Sequence, residues 1–387
     1  MSDEKAFDAK IQLNYISAVS GKIAHIRLNK PKALNALDLD MVNLMLDALD
    51  SIAKDDDVSA VLLDSEGDKA FCAGGDIVSM HKAMKDNAHA TQVNEVPSTP
   101  AFLQEFFTQE YRLDYCLHTF SKPVIVWGNG IIMGGGLGLF AGSHFKIVTE
   151  TARIAMPEIS IGLFPDVGAS YFLNKMPNGV GMFLGLTAAS INTLDTLEIG
   201  LADAFIAHQD KPLFLNKLAQ LSHIDAKSLA SLSKEINSDT SVLRPSNIAP
   251  ILSSLSSLHQ VHCVSAAEKA LEALVSEAPD NTYLQKALKT FHHGSAITAN
   301  LVLEQLTRSK DMSLADCFRM ELSMAFTCSA LGEFEEGVRA LLIDKDNQPK
   351  WQYARPSEVP ESVIQAHFSQ FEGLVHPLAK LEEDFAA

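Results

Sequence analysis

The feature that most narrows what this chain can fold into is the alternation of strands and helices in its first half, without a repeat of fixed period. A short apolar run is followed by a glycine-rich turn and then by residues at helical spacing. SAVLLD at 59–64 leads into KAFCAGGDI at 69–77, and PVIVWGNG at 123–130 leads into GGGLGLFAG at 134–142. IAHIRL at 23–28 and HFKIVTE at 144–150 read as further strands, and Met41, Leu44, Met45, Ala48 and Leu49 mark one helical face between the first two. Strands alternating with helices predict an α/β domain.

After about residue 210 the strand signal fades. KSLASLSKE and ILSSLSSLHQ lead into helical patterns, with a capping box expected from Ser265 to Glu268 and a helix expected over 313–331, where Leu314, Phe318, Leu322 and Ala325 share a face. The expected organisation is a core domain over 1–210 and a mainly helical region over 211–387 that covers the functional site. The polar stretch around 81–99 reads as a mobile surface loop.

A formal net charge of −17 argues against nucleic acid or an anionic membrane as partner, since both need a clustered basic field. Any anionic ligand must meet a local basic patch. No apolar run approaches the ~18 residues of a membrane span. The five cysteines are scattered without a C-x-x-C pair, which predicts a reduced compartment and no structural zinc. The opening MSDEKAFDAK has neither a secretory nor an organelle-targeting pattern, so the expected location is cytoplasmic.

Two glycine-rich loops that each follow a strand can present backbone amides to an anion or a developing oxyanion, or can simply allow tight helix-to-strand packing. A dinucleotide fingerprint at Gly136, Gly138 and Ala141 fails on context, because a second glycine pair and IIM separate it from its strand. The chain has no G-x-S-x-G elbow and no H-E-x-x-H zinc pattern, and the adjacent His292 and His293 read as helix-end or surface residues. MPEISIGLFPDVG at 156–168 places two acids, Glu158 and Asp166, in an otherwise apolar stretch.

LNKPKALNALD at 28–38, FCAGGDI at 71–77 and GNGIIMGGGLGL at 128–139 resemble the crotonase (enoyl-CoA hydratase/isomerase) superfamily. Within it, AMPEISIGLFPDVGASYFL at 155–173 and EFEEGVRALLIDKDNQPKW at 333–351 resemble the 3-hydroxyisobutyryl-CoA hydrolases. The resemblance implies a crotonase-type spiral of ββα units with a C-terminal helical region. It implies an oxyanion hole from the N–H groups of Gly75 and Gly135, and hydrolysis of a short 3-hydroxyacyl-CoA such as 3-hydroxyisobutyryl-CoA, an intermediate of valine breakdown. Hydratases of the superfamily use two glutamates, and the first position is Gly138 here, which speaks against hydration. Glu158 is then the nucleophile or general base. Asp166 positions the substrate hydroxyl or water, or helps protonate the leaving thiolate, and Glu110 matches a position contacting the acyl part. Ala73, near the adenine, and Lys30, Lys32 and Lys69, near the phosphates, are the residues expected to hold coenzyme A. Coenzyme A is part of the substrate, and neither a separate cofactor nor a metal is expected. A homo-oligomer is compatible with the superfamily. The rival readings are an enoyl-CoA isomerase or hydratase of the same fold and a non-catalytic subunit that binds acyl-CoA or a partner protein.

Overall fold

A computed structural model describes residues 10–90, 98–236 and 238–386. Strands β1 (Ile11–Ala18) and β2 (Gly21–Leu28) form an antiparallel hairpin in register from Ile11 opposite Leu28 to Ala18 opposite Gly21. Helix α1 (Leu39–Ala53) follows, its first turn capped by the Asp38 carboxylate, which accepts from the Met41 N–H, and its inner face made of Met41, Met45, Leu49 and Ile52.

The chain then repeats one move. Strand β3 (Val58–Ser65) is followed by β4 (Ala70–Cys72) and by helices α2 (Ile77–Ala90) and α3 (Ala101–Thr119). Strand β5 (Val124–Gly128) is followed by β6 (Ile131–Met133) and helix α4 (Gly135–Gly142). Strand β7 (Phe145–Val148) is followed by β8 (Arg153–Ala155) and a 3₁₀ turn, and β9 (Ala204–Phe205) closes the series. Each turn leaves its first strand in a six-stranded sheet ordered β1-β2-β3-β5-β7-β9 and its second in a three-stranded parallel sheet ordered β4-β6-β8. This is the spiral of ββα units expected of the crotonase fold.

Alternation along the strands of the large sheet gives it two buried faces. Ala24, Ile26, Val61, Leu63, Val124 and Val126 join the main core, which also takes in helices from the C-terminal half of the chain. Ile23, Leu62, Ile125, Trp127 and Ile147 face the other way and are covered by Phe214, Leu218, Leu229 and Leu232 from the helices Lys211–Ala219 and Ala226–Ile236. On that second face lies Asp64, fully buried, with His25 Nε2 at 2.9 Å, Arg27 Nε at 3.0 Å and Lys211 Nζ at 2.6 Å. Burial alone would push its carboxyl up, but these partners hold it well below the usual carboxylate range.

Two expectations are corrected. The stretch read as a mobile loop begins as part of α2, where Met80, His81 and Met84 are buried; residues 91–97 of that stretch lie outside the described residues. The helix containing ALEAL spans Val264–Glu277 with Cys263 at its cap, so Ser265 lies inside the first turn and makes no capping bond. Val264 is buried, and packing it draws the helix start one residue ahead of the serine. The helix expected over 313–331 is Leu314–Leu331, with the Ser313 hydroxyl accepting from the Asp316 N–H. Among the described residues no helix is long and apolar enough to cross a membrane.

Asn35 explains why LNKPKALNALD has its asparagine. It is buried and left-handed at φ 56°, a conformation asparagine tolerates better than most residues. Its Nδ2 donates to the carbonyls of Glu66 at 3.0 Å and Ala70 at 2.9 Å, and its Oδ1 accepts from the Lys30 N–H at 2.9 Å. One side chain thus straps the loop before α1 to the loop before β4. Asn35→Ala leaves three backbone groups without this partner and should cost about 2–4 kcal/mol in urea unfolding; a loss below about 0.5 kcal/mol would show that the strap is dispensable.

Candidate active site

Two glycine loops meet at one end of the small sheet. In the first, the Leu37 N–H donates to the Gly74 carbonyl at 2.8 Å and the Asp76 N–H to the Leu37 carbonyl at 2.7 Å, so this bridge leaves the Gly75 N–H outside it. The Ala73 N–H is tied to the Leu34 carbonyl at 3.1 Å. In the second, Gly134 caps α4 at φ 49° and ψ −128°, a conformation open to glycine, and Gly135 is the first helical residue. The N–H of a first helical residue has no partner within its helix. The loops touch: a Cβ on Gly74 would lie 3.6 Å from the Gly135 nitrogen.

These loops wall a cavity of about 60 Å³ together with Glu110, Glu158 and Asp166, and with Ala73 at its edge. Glu158 follows Pro157 in the 3₁₀ turn Glu158–Ile161, and a Cβ on Gly134 would lie 3.3 Å from its Oε1. Its Oε2 is buried and without a hydrogen-bond partner. Glu110 reaches in from α3 so closely that a Cβ on Gly135 would collide with its Oε1, which also lacks a partner. Asp166 accepts a hydrogen bond from the Tyr111 hydroxyl at 2.9 Å. The structure therefore gathers Glu158, Asp166, Gly75, Gly135, Glu110 and Ala73 at one place.

Among the described residues, no lysine, arginine or histidine lines this cavity. Burial, reinforced by the mutual repulsion of the acids, pushes Glu158 and Glu110 well above the usual carboxylate range, and burial pushes Asp166 up to about 7. Buried carboxyls arranged in this way cannot all ionise at once, so the site divides into charged and uncharged members near neutral pH.

Three further residues belong to the site and carry no motif in the sequence. Tyr111 and Asp114 stand on α3 beside Glu110, and Glu321 stands on the helix Leu314–Leu331; all are buried. Asp114 has neither oxygen partnered, and burial together with Glu110 and Asp166 pushes it well above its usual value. It also explains Gly138, where a Cβ would lie 2.6 Å from the Val167 Cβ and 2.9 Å from both Asp114 oxygens. A glutamate at 138 has no room. The signal available in the sequence is the pairing of acids four apart in QEYRLD, which reads as a solvated helical pair until the helix is known to be buried.

The three lysines do not share one environment. Lys30 Nζ lies 3.0 Å from Asp38 and 3.4 Å from Asp76, which ties the Gly75 loop to the cap of α1, whereas Lys32 and Lys69 are exposed. Among the described residues, the group of side chains that could converge on a metal ion is Glu268, Glu272 and His292, on the half-buried to exposed surfaces of two C-terminal helices.

A sequence model of the family described as enoyl-CoA hydratase/isomerase matches residues 23–368. The chain is similar to the mitochondrial 3-hydroxyisobutyryl-CoA hydrolase of Gallus gallus, 32% identical over 339 residues that cover 88% of this chain and 84% of the relative. It is similar to the mitochondrial enzyme of that name from Homo sapiens, 31% identical over 343 residues that cover 89% and 85%. Among solved structures it resembles a carnitinyl-CoA dehydratase from Mycobacterium thermoresistibile with a TM-score of 0.79 and 28% identity, covering 93% of this chain and 96% of that one. The expectation of a cytoplasmic location is overturned by these relatives, since both hydrolases are named as mitochondrial.

The raised carboxyls make a stability prediction. A carboxyl whose folded pKa lies above its unfolded value binds a proton in the folded state that the unfolded state has released, so stability falls as pH rises through the folded pKa. Asp166, raised from 3.8 to about 7, and Glu321, raised from 4.5 to about 8, spread that loss from the unfolded values up to the folded ones, after which it is complete. His118, lowered to about 3 mainly by burial, acts in the opposite direction but only below its unfolded value of 6.5. Urea unfolding should therefore show lower stability at pH 8 than at 6.5, and between pH 5 and 7 stability should fall less steeply, or rise more steeply, with pH in Asp166→Asn than in wild type; equal slopes there would mean that Asp166 titrates as it does in the unfolded chain.

Proposed function

Because this chain belongs to the enoyl-CoA hydratase/isomerase family, we propose that its acid-lined cavity hydrolyses a short 3-hydroxyacyl-CoA thioester, with 3-hydroxyisobutyryl-CoA the first candidate. The observation that carries this reading is the acid arrangement. Glu158 stands against Gly134, position 138 has no room for a glutamate, and the other acids at the cavity are Glu110, set against Gly135, and Asp166, hydrogen-bonded to Tyr111. Addition of water across a double bond by a glutamate at 138 paired with Glu158 is not supported by such a site, whereas thioester cleavage needs one nucleophile and one proton donor. The names carried by the relatives support the same substrate class.

In this mechanism the N–H groups of Gly75 and Gly135 receive the thioester carbonyl oxygen and stabilise the charge that grows on it as the carbon becomes tetrahedral. Ionised Glu158 attacks that carbon, the C–S bond breaks, and the departing thiolate takes a proton from the neutral carboxyl of Asp166. The resulting mixed anhydride is opened by water, which gives its proton back to Asp166 and restores Glu158 as the 3-hydroxy acid leaves. Burial raises both carboxyls, so the reacting form, with Glu158 ionised and Asp166 neutral, is a minor protonation state of the pair at neutral pH. Glu110, whose carboxyl lies against Gly135, contacts the acyl part.

Glu158→Gln keeps the shape of the side chain and removes both nucleophile and base. Thiol release from 3-hydroxyisobutyryl-CoA should fall by about 10³-fold or more while affinity for coenzyme A changes little. Turnover within about tenfold of wild type would remove Glu158 from the chemistry.

The lysines should separate by role. Exposed Lys32 and Lys69 suit the coenzyme A phosphates, so Lys32→Ala with Lys69→Ala should raise KM by about tenfold and leave kcat nearly unchanged. Lys30→Ala releases Asp76 beside Gly75 and should lower kcat. An unchanged KM in the double variant would place the nucleotide end elsewhere.

A further inference from the structure

The turn that carries Asp166 is held in an unfavourable backbone conformation by side chains from the C-terminal helices. Val167 has φ 55° and is fully buried, and Gly168 follows at φ 88°. A β-branched residue in the left-handed region is rare, and such a conformation persists only where the surroundings over-determine it. Here the surroundings are visible. Glu321, from the helix Leu314–Leu331, accepts from the Gly168 N–H at 2.7 Å and the Ser170 N–H at 2.8 Å. Gln305, from the helix Ala296–Arg308, donates from Nε2 to the Pro165 carbonyl at 2.5 Å and to Ser170 Oγ at 2.8 Å. Ser309 Oγ donates to the Ser170 carbonyl at 3.0 Å.

Both ends of the segment 165–170 are thus gripped from behind, and the residue left between the grips is the acid that faces the cavity. Burying the charged form of Glu321 is costly, and burial pushes its carboxyl up to about 8 against the two N–H groups that favour ionisation. Core packing alone would be served by an apolar residue of similar volume. The groups facing Glu321 are Asp166 on the turn, Tyr111 and Asp114 on α3, and Cys317 on its own helix; none of them is a cation.

We infer that Glu321 is a positioning residue for Asp166: by gripping the N–H groups of Gly168 and Ser170 it holds the Asp166–Val167–Gly168 turn in the left-handed geometry that aims the Asp166 carboxyl at the cavity. The C-terminal helices then set the chemistry as well as the core. The catalytic consequence rests on the hydrolase reading above.

The test compares Glu321→Gln in two backgrounds of the full-length chain, wild type and Val167→Gly. Glycine adopts the left-handed conformation without strain, so a turn built on it depends less on the grip. At equal folded concentration, Glu321→Gln should lower kcat for thiol release by about 30-fold in the wild-type background, with KM changed by less than about threefold, as expected when a reacting group is displaced. In the Val167→Gly background the same substitution should cost about threefold or less. No loss of kcat, or the same factor in both backgrounds, overturns the inference. Should Glu321→Gln fail to fold, Gln305→Met removes the second grip, and the same comparison of backgrounds decides. A wild-type chain that releases no thiol defeats the hydrolase reading alone. The positioning claim is then decided by carbon NMR titration of Asp166, whose pKa should fall from about 7 toward the ordinary carboxylate range in Glu321→Gln and whose constancy would overturn it.

Discussion

Five buried carboxyl groups with no cation among them are the constraint to which the rest of this structure responds. Glu110, Asp114, Glu158, Asp166 and Glu321 are each at most 4% exposed. A buried carboxylate is tolerable when it is paired, hydrogen-bonded or neutral, and the cluster uses the last two. Tyr111 serves Asp166, backbone N–H groups serve Glu321, and burial, reinforced by repulsion, raises Glu110, Asp114 and Glu158 toward the neutral form. Asp64 shows the contrast within the same molecule. Equally buried, it is surrounded by His25, Arg27 and Lys211, stays ionised, and pins the large sheet to the helix beneath it. The same chemical group is held ionised where cations answer it and pushed toward the neutral form where they do not.

The glycines follow from the acids. Gly135 is needed because Glu110 occupies the space its Cβ would fill, and Gly138 because Asp114 and Val167 fill the space beside it. The loops left bare of side chains line the same cavity as Glu110, Glu158 and Asp166. Lys30 and Asn35 hold that arrangement from the N-terminal side, and Glu321 and Gln305 hold it from the C-terminal side.

What was legible in the sequence was local. Glu158, Asp166, Gly75 and Gly135 stand in short motifs whose residue types are unusual for their surroundings, and the strands that carry the loops announce themselves by apolar runs. Tyr111, Asp114 and Glu321 were not legible, because an acid on a helix reads as solvated until the partner face is known, and Glu321 meets its turn across more than 150 residues of chain. The stretch at 81–90 was misread for the opposite reason: its polar residues mask Met80 and Met84, whose burial against the core decides the conformation. Ser265 illustrates the same priority, since the burial of Val264 outweighed the capping preference of the serine.

The most direct measurement is a paired assay of the purified chain, following free thiol with 3-hydroxyisobutyryl-CoA and loss of ultraviolet absorbance with crotonyl-CoA. A site with no space for a glutamate at 138 and with a tyrosine-bonded aspartate in the Glu158 cavity should release thiol from the first and leave the double bond of the second intact. Hydration of crotonyl-CoA without thiol release from the hydroxyacyl thioester would contradict the account at its centre.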